Sequence, residues 1–233
     1  MKYFTMRLLI AYLYTTLRLA PKLGRTIPII YKKMTSFALI ADFDLINGFI
    51  NDCDYITQCV SNPKKDPSSL SFLVDRPMSQ SDCIKLGVGV EKLLVDTVEK
   101  LTGLENIRPK NSKGEKERDH LFKDDVSKVI YYAELKANIN LDTEKSKSTY
   151  TKCMQVVEEL HIEYPDYEIK WCLLAHRYIS VDDIPLVIKK KYAHISSQLF
   201  WINQYFSMIG ISFQFSEEKY KEYINNVANK MFK

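Results

Sequence analysis

Glycine and proline are scarce, at 7 and 8 of 233 residues, which excludes a collagen-like chain and a low-complexity disordered one. No stretch reaches 18 uninterrupted apolar residues, so a helix crossing a bilayer is not expected, nor is a membrane partner. The five cysteines, Cys53, Cys59, Cys83, Cys153 and Cys172, form no C-x-x-C pair, and His120, His161, His176 and His194 show no H-x(3–5)-H spacing. A disulfide scaffold and a structural zinc are therefore disfavoured. Buried thiols in a reducing, cytoplasmic compartment fit better.

What is present is ample apolar material: 46% of residues are hydrophobic and 12% aromatic, enough for one substantial core. The net charge of +4 is unevenly spread. Seven of the 33 lysines and arginines fall in residues 1–33, which hold no acid, so the rest carries 26 basic against 29 acidic residues. A body so near neutrality is not a polybasic nucleic-acid binder, and any DNA contact must come from a local strip. Residues 1–33 read as a basic extension, with three open readings: a secretory leader, disfavoured by Tyr12 within the apolar run and by Tyr14 and Arg18 after it; a plain helix ending before Pro21; or a dispensable segment ahead of a working start at Met34. Residues 34–233 are expected to form a single domain with its core at about 84–179.

The apolar spacing predicts a helix over 35–59, a loop over 61–81, and a helix capped by Ser81 or Asp82 and closed by Gly103, with Leu86, Val90, Leu93, Leu94 and Leu101 on its apolar face. Gly87 and Gly89 weaken its first turns. A polar stretch over 105–116 precedes two strand-like segments, Arg118 to Phe122 and Lys128 to Ile139. A helix follows from Thr149 to Ile162, then a buried strand from Glu168 to Ile179. The tail from Ile195 reads as helical, with Ser216 capping a last helix whose first turn holds Glu217 and Glu218. The order is that of an α/β protein with a central mixed sheet flanked by helices and extra helices at both ends.

Chemistry concentrates in Glu117-Arg-Asp-His-Leu-Phe122 and Tyr131-Tyr-Ala-Glu-Leu-Lys136. Residues two apart in a strand share a face, so Glu134 and Lys136 project together. If the strands form a hairpin around Val126-Ser127, Asp119 stands opposite Glu134; a longer turn preserves that register and a bulge shifts it. Paired carboxylates repel unless a cation lies between them, and carboxylate oxygens with waters are a usual ligand set for Mg²⁺. A neighbouring lysine adds a fixed positive charge or, if desolvation lowers its pKa, a group that can orient or deprotonate a water. His120 alternates away from Asp119 and should face the core, and Asp124 and Asp125 suit the turn.

The pattern Asp119, fourteen residues, then Glu134-Leu135-Lys136, followed by the polar run Asn138-Ile-Asn-Leu-Asp-Thr-Glu-Lys-Ser-Lys147, resembles the PD-(D/E)xK nuclease superfamily, in particular type II restriction endonucleases. Arg118 stands where many members carry proline. The resemblance spans about Ile84 to Ile179 and implies a restriction-endonuclease-like core. It also implies Asp119 and Glu134 as Mg²⁺ ligands, the Leu135 carbonyl as a third, Lys136 as the residue that handles the attacking water, and Glu91 as a further carboxylate from the preceding helix. The reaction implied is hydrolysis of double-stranded DNA at a short sequence by a homodimer, since symmetric sites are read most economically by symmetric proteins.

Lys145, Lys147, Thr149 and Lys152, with Tyr150 among them, offer donors for DNA phosphates. The aromatic group Phe200, Trp201, Tyr205 and Phe206 follows helical spacing and suits core or a subunit interface better than base stacking. Two other functions stay open on these residues: a structure-specific repair or junction nuclease using the same site, and a non-catalytic interaction protein whose Asp, Glu and Lys form a solvated strand face.

Overall fold

Alternating apolar residues in two segments joined by a polar turn build a hairpin at the centre of the computed structural model. It describes residues 41–53, 70, 73–109, 118–137, 139, 143–184, 186–192 and 197–232. The helices are α1 (Phe43–Asp52), α2 (Gln80–Thr102), α3 (Thr143–Glu163), α4 (Leu186–Lys191), α5 (Ile202–Met208) and α6 (Glu217–Met231). The strands are β1 (Glu105–Asn106), β2 (His120–Asp124), β3 (Val129–Leu135), β4 (Glu168–Leu174) and β5 (Leu199–Phe200). The basic extension, Cys59, most of the 61–81 loop and the 110–117 stretch lie outside the described residues. Among those described, no helix is long and apolar enough to cross a membrane.

The five strands form one mixed sheet in chain order. β1, β2 and β3 are antiparallel neighbours, while β4 and β5 run parallel to β3. A parallel step from β3 to β4 requires a crossover, and α3 supplies it. Side chains alternate between two packed faces. Leu121, Ile130 and Tyr132 meet Cys153, Val156, Val157 and Leu160 of α3. Phe122, Ala133, Leu135, Cys172 and Leu174 point the other way, into the cluster built by α1, α2, α5 and α6. The mixed α/β class expected from the sequence is observed.

The β2–β3 pairing joins His120 with Ala133 and Asp124 with Val129. This is the expected register, reached by a four-residue loop instead of a two-residue turn. Asp124 organises that loop: its Oδ1 accepts from the amides of Val126 (2.9 Å) and Ser127 (3.2 Å), and its Oδ2 accepts from the Ser127 hydroxyl (2.6 Å). Lys128 closes the loop at φ 56°. A loop lengthened symmetrically about its centre leaves every cross-strand partner unchanged.

α2 begins earlier than expected, because Ser79 is the N-cap and Asp82 completes a capping box; Gly103 ends it at φ 69°. The helix runs through Gly87 and Gly89, and a Cβ at Gly89 would lie 2.8 Å from Met231 Sδ of α6. The missing side chain is what lets α6 approach α2. Gly89→Leu is expected to lower stability by about 1–3 kcal/mol, the range for overpacking a core, as read by urea denaturation.

Several expectations need correction. β1 lies in the stretch read as polar turn, where Asn106 Oδ1 holds the Arg108 amide (3.2 Å) beside two ladder positions to β2. α3 begins at Thr143, six residues before the expected start, since its first turns are polar and carry no apolar periodicity. The segment ahead of α5 contributes β5 and not helix, and α4 was not foreseen. Two expectations hold: Tyr205 and Phe206 are buried in the core, and the four described cysteines are buried free thiols.

Candidate active site

The C-terminal end of a parallel strand is where a chain leaves the sheet and side chains gain room for a ligand. β3 ends at Leu135, next to Lys136, whose amide donates to the Leu174 carbonyl at the end of β4 (2.9 Å). Asp119 immediately precedes β2, and the antiparallel register brings it to the same end. Alternation puts Asp119, Glu134 and Lys136 on the face covered by α3, since Leu121 and Tyr132 of the same strands pack there.

Glu134 is the centre of the arrangement, with only 1% of its side chain exposed. Lys136 Nζ donates to Glu134 Oε1 (2.8 Å), and Lys152 Nζ, from α3, bridges Oε1 (2.9 Å) and Oε2 (2.8 Å). The Tyr132 hydroxyl adds a longer bond to Oε2 (3.3 Å). Burial works against the charged carboxylate, but the attraction and hydrogen bonds of the two lysines outweigh it and hold the Glu134 pKa below the ordinary value. Asp119 is shifted the other way. Burial, then repulsion from Glu134, raises its pKa against the opposing pull of Lys136, the Leu135 amide and Lys152. Its Oδ2 accepts from the Leu135 N–H (2.8 Å). The N–H and C=O of one strand residue point to the same edge, so the Leu135 carbonyl lies toward Asp119.

Burial also disfavours the charged form of Lys136. The attraction of Glu134 and Asp119, the hydrogen bond to Glu134 and the attraction of Glu91 together win, and its pKa is raised. Lys136 is thus held in its charged form beside the two carboxylates.

The remaining residues divide. Glu91 is half-buried on α2, which packs on the opposite face of the sheet; its backbone carbonyl is 3.2 Å from His120 Nε2, and its charge is felt at Lys136. Among the described residues, no group of three or more His, Cys, Asp or Glu is gathered as a ready cation site. Asp119 and Glu134 face α3, while Glu91 adds its charge at Lys136 from the helix on the other side of the sheet.

His120 faces the core as expected and lies 2.8 Å from the Tyr205 hydroxyl; burial, chiefly, lowers its pKa to about 3. Lys147 is exposed and Thr149 half-buried on α3, while the side chain of Lys145 lies outside the described ones. Lys152, expected at a DNA phosphate, has its ammonium engaged with Glu134 in this structure.

His176, just past β4, was not singled out by the sequence. It is fully buried with both ring nitrogens unpartnered, and burial, then the nearby Lys136 charge, lowers its pKa to about 3. An isolated histidine in the polar tail of a strand carries no pattern that could have flagged it.

The donor set suits a hard divalent cation: two carboxylates of opposed pKa tendency and a neighbouring main-chain carbonyl. Compared with family models, curated proteins and solved structures, the chain matches none of them.

Proposed function

We propose that this chain is a Mg²⁺-dependent endonuclease of the type II restriction kind, hydrolysing phosphodiester bonds of double-stranded DNA at a short sequence as a two-fold dimer. The observation that carries the reading is the convergence of Asp119, Glu134 and Lys136 at one end of the β2–β3 hairpin, on one face and in partly buried surroundings. The order of α2, hairpin, α3 and β4, with β4 parallel to β3, supports a restriction-endonuclease-like core.

Asp119 and Glu134 would hold the ion with the Leu135 carbonyl. A bound Mg²⁺ supplies Lewis acidity at the phosphoryl oxygen and a more acidic water. Lys136, kept protonated, donates to the water or the phosphate, aligns attack opposite the 3′ oxygen and offsets charge growing on the phosphoryl group. The water adds at phosphorus as the bond to the 3′ oxygen breaks. The proton lost by the water goes to solvent, and the departing oxygen takes one.

Incubating the purified protein with plasmid DNA and Mg²⁺ is expected to give discrete fragments, and none with EDTA. Nicking or junction cutting without discrete duplex fragments would favour a repair nuclease on the same site. One observation favours a third reading, an interaction protein with a purely structural ion cluster: both Glu134 oxygens are already taken by lysines. Intact plasmid at every metal concentration would support it.

A further inference from the structure

Glu134 has two ammonium partners, and the metal reading above, on which this inference rests, uses only one of them. Lys136 follows Glu134 on the same strand face and reaches Oε1. Lys152 comes from a different element, α3, and takes both carboxylate oxygens at 2.8 and 2.9 Å. A cation that binds Glu134 needs at least one of those oxygens. Lys152 occupies the same lone pairs.

We infer that Lys152 is a built-in counter-ion of the metal-free site, which releases Glu134 when a divalent cation binds there and turns its ammonium to a phosphate of the bound DNA. Three features carry this. Glu134 is almost fully buried, and an uncompensated charge there is strongly disfavoured, so a counter-ion is needed until a metal takes its place. The Lys152 side chain is 36% exposed, so its flexible stem opens toward solvent and can swing away without unpacking the core. One helical turn earlier on the same face of α3 stands Thr149, half-buried, so a released Lys152 would lie beside a hydroxyl of the kind that contacts phosphates.

The arrangement makes metal and Lys152 competitors for Glu134, and metal and DNA cooperative. Without a metal the ammonium is spent on Glu134; with one it is available to the nucleic acid. Coupling of this kind is reciprocal, so DNA should also tighten the metal.

The test is calorimetric titration of Mn²⁺ into the full chain without DNA, for wild type, Lys152→Met and Lys152→Gln, paired with duplex binding by fluorescence anisotropy in EDTA and in Ca²⁺. Thermal melts establish that the variants fold; of the two, Gln keeps a hydrogen bond to Glu134 if Met proves unstable. The expected result is Mn²⁺ binding about tenfold tighter in the variants, since a competing cation is gone. Duplex affinity should be unchanged in EDTA but about tenfold weaker in Ca²⁺, the size of one charge-assisted hydrogen bond.

Unchanged or weaker Mn²⁺ binding in folded variants overturns the counter-ion role and leaves the metal reading intact. An equal loss of DNA affinity with and without Ca²⁺ overturns the hand-over to phosphate. Absence of Mn²⁺ binding in wild type and both variants overturns this inference and the metal site together.

Discussion

Lys136→Ala is expected to lower single-turnover DNA cleavage by a thousandfold or more while leaving duplex affinity in Ca²⁺ within about threefold of wild type. A donor that acts only as charge develops in the transition state contributes on the order of 3–4 kcal/mol to the rate and little to ground-state binding. The fold should survive the change, because Lys152 keeps both oxygens of Glu134 occupied when the 2.8 Å contact from Lys136 is lost. Lys136→Arg should not restore the rate, since a planar guanidinium places its donors differently from an ammonium. The measurement is cleavage with enzyme in excess, beside anisotropy on the same duplex. Cleavage within tenfold of wild type would remove Lys136 from the chemistry.

The second large effect is an opposition between the two carboxylates, read in urea denaturation at neutral pH without divalent ions. Glu134→Gln is expected to destabilise by about 2 kcal/mol. Breaking a buried ion pair leaves uncompensated charge and costs about 3–5 kcal/mol, and the loss here is smaller because the lysines, about a third exposed, can turn to solvent. Asp119→Asn should be neutral or stabilising by up to about 1 kcal/mol. It removes a charge disfavoured by burial and by Glu134, while its side-chain oxygen can still accept from the Leu135 N–H.

The signs follow from linkage. Asp119 has a raised folded-state pKa, so its stability contribution is fully present below the ordinary carboxylate pKa and is lost as pH rises through the raised value. Glu134 has a lowered one, so its contribution is present above the ordinary value and is lost as pH falls through the lowered value. Glu134→Gln should therefore cost progressively less stability below the ordinary carboxylate range. Divalent metal should raise the midpoint of wild type but not of Asp119→Asn, because only the former retains the charged ligand. Equal destabilisation by both substitutions would contradict the opposed pKa shifts.

Much of this site was legible because its components obey short-range rules. Strand alternation placed Glu134 and Lys136 on one face, and the cross-strand register followed from the centre of the 124–129 connection, so a misjudged loop length did no harm. Ser216 and Gly103 marked helix ends through cap chemistry that needs no tertiary context.

What escaped the sequence depends on packing. Lys152 reaches Glu134 only because α3 crosses back over β3, with Cys153 to Leu160 laid along Leu121, Ile130 and Tyr132, which puts the early turns of the helix over the end of the strand. The helix was visible from Thr149 onward, Lys152 included, but nothing in the sequence shows which strand residue that side of it meets, so the lysine read as a donor to DNA. β1 and β5, two residues each, are defined by pairing with neighbours and not by any pattern of their own. Glu91 was placed on the right helix, yet that helix packs against the opposite face of the sheet.

The central claim is that Asp119 and Glu134 share a divalent ion. Anomalous diffraction from crystals of the protein soaked in Mn²⁺ tests it most directly. The account predicts a peak within coordination distance of both carboxylates and the Leu135 carbonyl, with Lys152 turned away from Glu134. An ion bound elsewhere, or no peak with both lysines still seated on Glu134, would contradict it.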